Sequence, residues 1–391
     1  SYILILFLTI LSVLEKNIMK AVICSVALSI LSFILFSEKQ LEVIDSETLF
    51  NIPEVNNNFT YLTYSPGEDN HREDYKNPDI ISLSIDASKI LDVKWNQSKI
   101  KWRERYWGFN KEKLPLNGRL WIPEGDKKFP IISIIHGNHS MQEHSDDGYN
   151  YLGEYLSEHG YIFNSLDQNF LNGSWTGDFR GKEMTTRAWH FLENLNYLKK
   201  LNNDSSSILY NKIDFDNIIV MGHSRGGEAV NIASKFNELK IFPDNGTVDL
   251  DYNFNIKGIV TLAPTDYRYF RNYHLKNVNY LSVQGSMDSD EDSFFGIRQA
   301  NRLENSNSFS DFNILIEGAN HSQFNTSWGK HDIGFPGKLL VNNSNILPGW
   351  LQRKILKYYI INFLNYTFNV DNDALYNLKK SINYPIGEDL S

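Results

Sequence analysis

The chain has one cysteine, Cys24, among its 391 residues. It can therefore form no intramolecular disulfide and offers no cysteine cluster to a metal. Long runs of one charge are missing, and the formal net charge is −9. A nucleic-acid partner is not expected from that balance. No segment repeats, which excludes solenoids and propellers. What is abundant is core-forming material. Hydrophobic residues make up 41% and aromatics 14%, with 21 Tyr and 24 Phe, enough for a large core. Length alone suggests two or three domains, but α/β chains of this size often form one unit.

The N-terminus is apolar in two runs, residues 2–14 and Ala21 to Phe36, separated by a polar break around Glu15, Lys16 and Asn17. Met19 and Lys20 before the second run resemble the start of a signal peptide or signal anchor, which points to Met19 as the native start and to residues 1–18 as upstream reading frame. The second run is slightly short for a membrane span of about 20 residues. No small-x-small cleavage site follows it, because Leu35 stands where a small residue is wanted. Lys16 and Lys20 favour a cytoplasmic N-side, which exports the rest. The expected location is extracytoplasmic, either attached to a membrane through residues 21–36 or secreted. A buried hydrophobic helix is the alternative. Residues 37–75 read as a polar linker and residues 76–391 as a single domain.

Within that domain, Ile80 to Asp86 alternates apolar and polar residues and predicts a strand. Trp102 to Phe109 reads as another, and Leu114 to Pro123 as a turn and a third, together an antiparallel edge. Phe129 to Ile135 is continuously apolar, as in strands covered on both faces. Helices are predicted near Gly148 to His159, from Thr185 to Leu201, after Ser224 to about Phe236, and from Leu347 to Tyr366. Strands are predicted at Tyr161 to Asp167, Asn217 to Met221, Ile256 to Leu262, Tyr280 to Gln284 and Phe312 to Glu317. The alternation predicts the α/β class, with a mostly parallel sheet and helices on both faces.

The organising stretch is Ile218 to Val230. Four apolar residues lead into Gly222-His223-Ser224-Arg225-Gly226, and a helical run follows. This is the G-x-S-x-G nucleophile elbow in its expected strand–turn–helix setting. A serine there must take strained backbone angles, and glycines leave room where a Cβ would collide. Its hydroxyl needs a base, and the base an orienting group. Asp288, after the strand ending Gln284-Gly285, is the candidate acid, with Asp290 and Asp292 as competitors. His321, in the loop after the strand ending Ile316-Glu317, is the candidate base. The order Ser224, Asp288, His321 is that of α/β-hydrolases. The backbone N–H groups of Arg225 and Asn138 are the candidate oxyanion donors. The D-x-D-x-D run from Asp288 lacks the glycine and glutamate of a calcium loop. His136, His139, His144 and Asp146 match no zinc spacing. The N-x-S/T sequons fall even at Asn138 and Asn320, where a glycan would block the site, and are ascribed to Asn-rich composition.

On Pro130 to Gly137, Gly222 to Gly227, Gly285 to Asp288 and Asn320-His321, the chain resembles the α/β-hydrolase superfamily across roughly residues 115–370. The nearest likeness is to its dienelactone-hydrolase, chlorophyllase and polyester-hydrolase (cutinase-like) branch. The oxyanion stretch departs from the H-G-G-G pattern, reading His136-Gly137-Asn138. The resemblance implies an eight-stranded-type sheet, a Ser-His-Asp triad and ester hydrolysis through an acyl-enzyme, with no cofactor. It leaves the substrate open among small-molecule, lipid and polymer esters. Phe170, Trp175, Tyr267, Phe324 and Trp328 are the candidate pocket residues. An amidase or peptidase with the same triad, or a membrane-tethered binding protein on this scaffold, remain the competing readings.

Overall fold

The structure is a computed structural model that describes residues 10, 18–36, 50, 55–91, 93, 97–175, 177–334, 337–339, 341, 343 and 345–382. The first apolar run, apart from Ile10, and residues 37–49 and 51–54 of the expected linker lie outside the described residues. Met19 to Phe36 fall within a helix, α1 (Ile18–Phe36). Among the described residues no helix is long and apolar enough to cross a membrane.

The centre is a nine-stranded sheet. Its strands, in chain order, are β1 (Phe59–Ser65), β2 (Ile80–Ile81), β3 (Gly118–Pro123), β4 (Phe129–Ile135), β5 (Ile162–Leu166), β6 (Ile213–His223), β7 (Ile256–Leu262), β8 (Asn279–Gly285) and β9 (Asp311–Ile316). The spatial order is β9-β8-β7-β6-β4-β5-β3-β1-β2. From β9 to β5 every neighbouring pair is parallel. Only β3 runs against its neighbours, β5 and β1. The chain is thus of the α/β class, with the antiparallel edge that the sequence predicts. The sheet has nine strands where eight were expected.

Parallel strands covered on both faces are rich in apolar residues, and the central stretches of β4 and β6 are. Ile131, Ile135, Ile218 and Val220 face one core layer, with α4 (Met184–Asn203) and α5 (Arg225–Phe236) packed over it. Ile132, Ile134, Ile219 and Met221 face the other, under α3 (Asn150–Glu158) and α6 (Gly349–Thr367). Helix α3 follows β4 and α5 follows β6, so the connections leaving these two neighbouring strands go to opposite faces. The crevice between the carboxyl ends of β4 and β6 is a topological switch point, where open α/β sheets place ligands.

Two expectations need correction. Trp102 to Phe109 is not a strand; it lies largely in helix α2 (Gln97–Trp107). The reason is periodicity. Trp102 and Tyr106 stack at 5.8 Å, and Arg103 and Trp107 are buried, both pairs four residues apart. Ile80 to Asp86 is not one strand either. Only Ile80–Ile81 joins the sheet, while Ser84–Ile85 pairs with Leu114–Pro115 in a separate ladder.

The sheet also recruits chain from inside the 37–75 segment. Strand β1 pairs with β3 over six residues. Just beyond it, Arg72 bonds Asp69, Asp146 and Asp167, and Arg119 bonds Asp146 at 2.8 Å. All five side chains are buried. Tyr75 Oη donates to Asp146 at 2.7 Å. Buried charges need such mutual pairing, because each one stranded alone is costly.

Candidate active site

Four loops meet at the carboxyl edge of the sheet. The register aligns Ile135 of β4 with Gly222 of β6, His223 with Leu262 of β7, and Gly285 of β8 with Ile316 of β9. Asn138, Ser224, Asp288 and His321 therefore leave the sheet on the same side.

Ser224 stands between β6 and α5 with φ 56° and ψ −125°, a conformation an L-residue holds only when its surroundings force it. They do so by close packing. A Cβ on Gly222 would come within 2.1 Å of the Gly226 carbonyl, and one on Gly226 within 2.2 Å of the Ile135 carbonyl. The Ser224 N–H donates to Leu262 O at 2.8 Å.

Asp288 is fully bonded. Oδ1 accepts the N–H groups of Asp290 at 3.0 Å and Glu291 at 2.8 Å. Oδ2 accepts Gln284 Nε2 at 2.7 Å and faces His321 Nδ1 at 2.9 Å. The structure thus pairs His321 with Asp288. Asp290 lies 3.4 Å from the other ring nitrogen, Nε2, and is half exposed. Nε2 is itself buried and has no hydrogen-bond partner among the described residues. No hydrogen bond joins it to Ser224 Oγ. Burial disfavours the charged ring, but the Asp288 carboxylate outweighs it, with Asp290 and Asp332 adding. The imidazole is held up at about 9. Ser224 and His321 are only 3% and 2% exposed, so the site is closed in this conformation.

Asn138 accepts the Gly173 N–H through Oδ1 at 2.7 Å, which fixes its loop. Among the described residues neither the Asn138 nor the Arg225 amide donates to a loop or cap acceptor. A Cβ on Gly137 would lie 2.6 Å from Ser224 Cβ, so this loop crosses directly beside the serine. The Arg225 side chain binds Asp178 and Glu183, tying the 178–183 loop to the elbow. His136 is a strut: Nδ1 donates to Gly137 O and Nε2 accepts the Gln168 N–H. Burial pushes it down to about 4, so it stays neutral. Among the described residues no three metal-ligating side chains are grouped to hold an ion, and Asp146 is taken up by its two arginines.

The candidate pocket residues separate. Trp328 is brought to the site. Its ring stacks on His223 at 4.5 Å, lies parallel to His321 at 6.0 Å, and donates from Nε1 to Ser145 Oγ. Tyr267 Oη sits 3.3 Å from the carboxylate of Glu291, a group that burial pushes up to about 7. Phe324 is fully buried beneath His223. Phe170 and Trp175 are not gathered to the triad by their ring contacts. Phe170 packs on Trp107, Phe109 and His190, and Trp175 is exposed against Trp102.

The sequence reading misses several supports. Gln284 lies within a quoted strand but shows no pattern of its own. Glu228, in the first turn of α5, accepts the amides of Arg268 and Tyr269 and the Thr265 hydroxyl, and so holds the aromatic 265–269 loop. His223, the variable residue of the elbow, is buried and bonded at Nδ1 to Tyr149 Oη.

No protein-family model and no curated protein matches this chain. The site must therefore speak for itself.

Proposed function

We propose that the chain is a serine hydrolase of the α/β-hydrolase type that cleaves carboxylic esters through an acyl-enzyme. One observation carries the reading: a serine in a strained strand-to-helix turn shares a sheet edge with a histidine–carboxylate pair 2.9 Å apart. A buried serine held at positive φ is costly and serves no packing purpose. On this reading His321 takes the Ser224 proton as Oγ attacks the carbonyl carbon. Asp288 orients the ring and stabilises its charged form. The N–H groups of Asn138 and Arg225 receive the oxyanion. His321 returns the proton to the leaving alcohol, and water then releases the acid by the same steps in reverse. The likeness to the cutinase-like and dienelactone-hydrolase branch rests on the motifs alone. So does export, which is supported by Lys16 and Lys20 ahead of the apolar run 21–36.

The test is turnover of short activated esters by the wild type and by Ser224→Ala. A loss of several orders of magnitude is expected, by comparison with other triads. Retained activity in Ser224→Ala would remove the serine from the mechanism.

A further inference from the structure

Asp332 follows the candidate base by eleven residues and belongs to no motif. Its carboxylate nevertheless accepts four hydrogen bonds. Oδ2 takes the backbone N–H of His321 at 3.1 Å and of Ser289 at 2.9 Å. Oδ1 takes the N–H of Ser322 at 2.7 Å and Asn320 Nδ2 at 2.8 Å. Ser289 is the residue after Asp288. One side chain thus ties the turn that carries the acid to the turn that carries the base, two segments that strands β8 and β9 would otherwise deliver independently.

We infer that Asp332 is a positioning residue, a carboxylate staple that sets the distance between His321 and Asp288. The inference rests on the ester-hydrolase reading above. Its physical basis is the cost of misalignment: a shift of about 1 Å in a catalytic group can lower rate about a hundredfold. Without the staple, three backbone N–H groups lose their acceptor. They can regain one only by moving. Asp332 also acts on the charge of His321. The groups facing that ring are Asp288, Asp290 and Glu291 from the acid turn, His223 from the elbow and Asp332 from the base's own loop. Trp328, the uncharged face of the same loop, stacks against it.

The test compares wild type, Asp332→Asn and Asp332→Glu in the full chain. Ser224 is first titrated with a fluorophosphonate probe, and the pH dependence of kcat/KM on a neutral ester is measured alongside. Asp332→Asn keeps one acceptor oxygen but loses the charge. It should lower kcat at least tenfold, leave KM within about threefold, and move the rising limb to lower pH. Asp332→Glu keeps the charge and displaces the carboxylate, so the rate should fall with the limb left in place. Should Asp332→Asn fail to fold by thermal melting, Asp332→Glu carries the test. A labelled wild type with wild-type kcat in the folded variants overturns the staple alone. So does a fall in labelled fraction with an unmoved limb in Asp332→Asn and unchanged turnover per labelled site, because that pattern is lost fold, not lost alignment. A wild type that Ser224 probes never label overturns the hydrolase reading, and the inference with it.

Discussion

At the scale of single residues, the charge on His321 governs the proposed chemistry. Its ring is held up at about 9 by Asp288 against burial, so at neutral pH most molecules carry it protonated and unable to take the serine proton. Activity should therefore rise with pH through a midpoint near 9, and Asp290→Asn should move that limb to lower pH. A limb near the ordinary histidine value of 6.5 in the wild type would contradict the pairing of Asp288 with Nδ1. The same shift bears on stability. Since the folded value is raised, the stabilisation is complete below about 6.5 and is lost as pH rises through about 9. Urea midpoints should fall across that window in wild type and stay flatter in His321→Gln. The glycines make a second residue-scale prediction. Gly222→Ala places a methyl group 2.1 Å from the Gly226 carbonyl, where backbone must shift, and should cost about 3 kcal/mol or more in denaturant unfolding. The turn at Ser224 with its glycines, and the positions of Asp288 and His321 just past strand ends, were legible because local spacing marks them. Asp332, Gln284 and Glu228 were not. They act through single hydrogen bonds across large sequence separations, and nothing in local spacing marks them.

At the scale of elements, legibility follows burial. Strand β4 coincides with the apolar run from which it was read, as expected of a strand covered on both faces. The edge was harder. Strand β1 has the burial pattern of a strand open at one end, and β2 is two residues long, too short for periodicity to speak. Helix α2 was read as a strand over Trp102 to Phe109, although its buried side chains, Arg103 and Trp107, stand four apart. The ion network behind β1 leads to a prediction at this scale. Arg72→Met leaves the buried carboxylate of Asp167 without its arginine and Asp146 with Arg119 alone. Breaking a buried pair in this way typically costs about 3–5 kcal/mol, to be read from urea unfolding. A loss under about 1 kcal/mol would mean that those carboxylates take up protons instead and that the network does not hold β1 in place.

At the scale of the whole molecule, the sheet gathers the loops that carry Asn138, Ser224, Asp288 and His321 at one edge. Gly137, Ser224 and Trp328 close over one another there, which explains how so little of the serine reaches solvent. The sheet needs chain from before residue 76 to be complete. A protein trimmed to residues 76–391 should therefore fail to fold cooperatively, whereas one starting at residue 50 should melt like the full chain. The account stands most directly on whether Ser224 is activated. The deciding measurement is covalent labelling by a fluorophosphonate, with the adduct located by mass spectrometry in wild type and in His321→Ala. Labelling at Ser224 that speeds up toward pH 9 and disappears in His321→Ala is the predicted result. A folded protein left unlabelled at every pH, or labelled equally without His321, would contradict it.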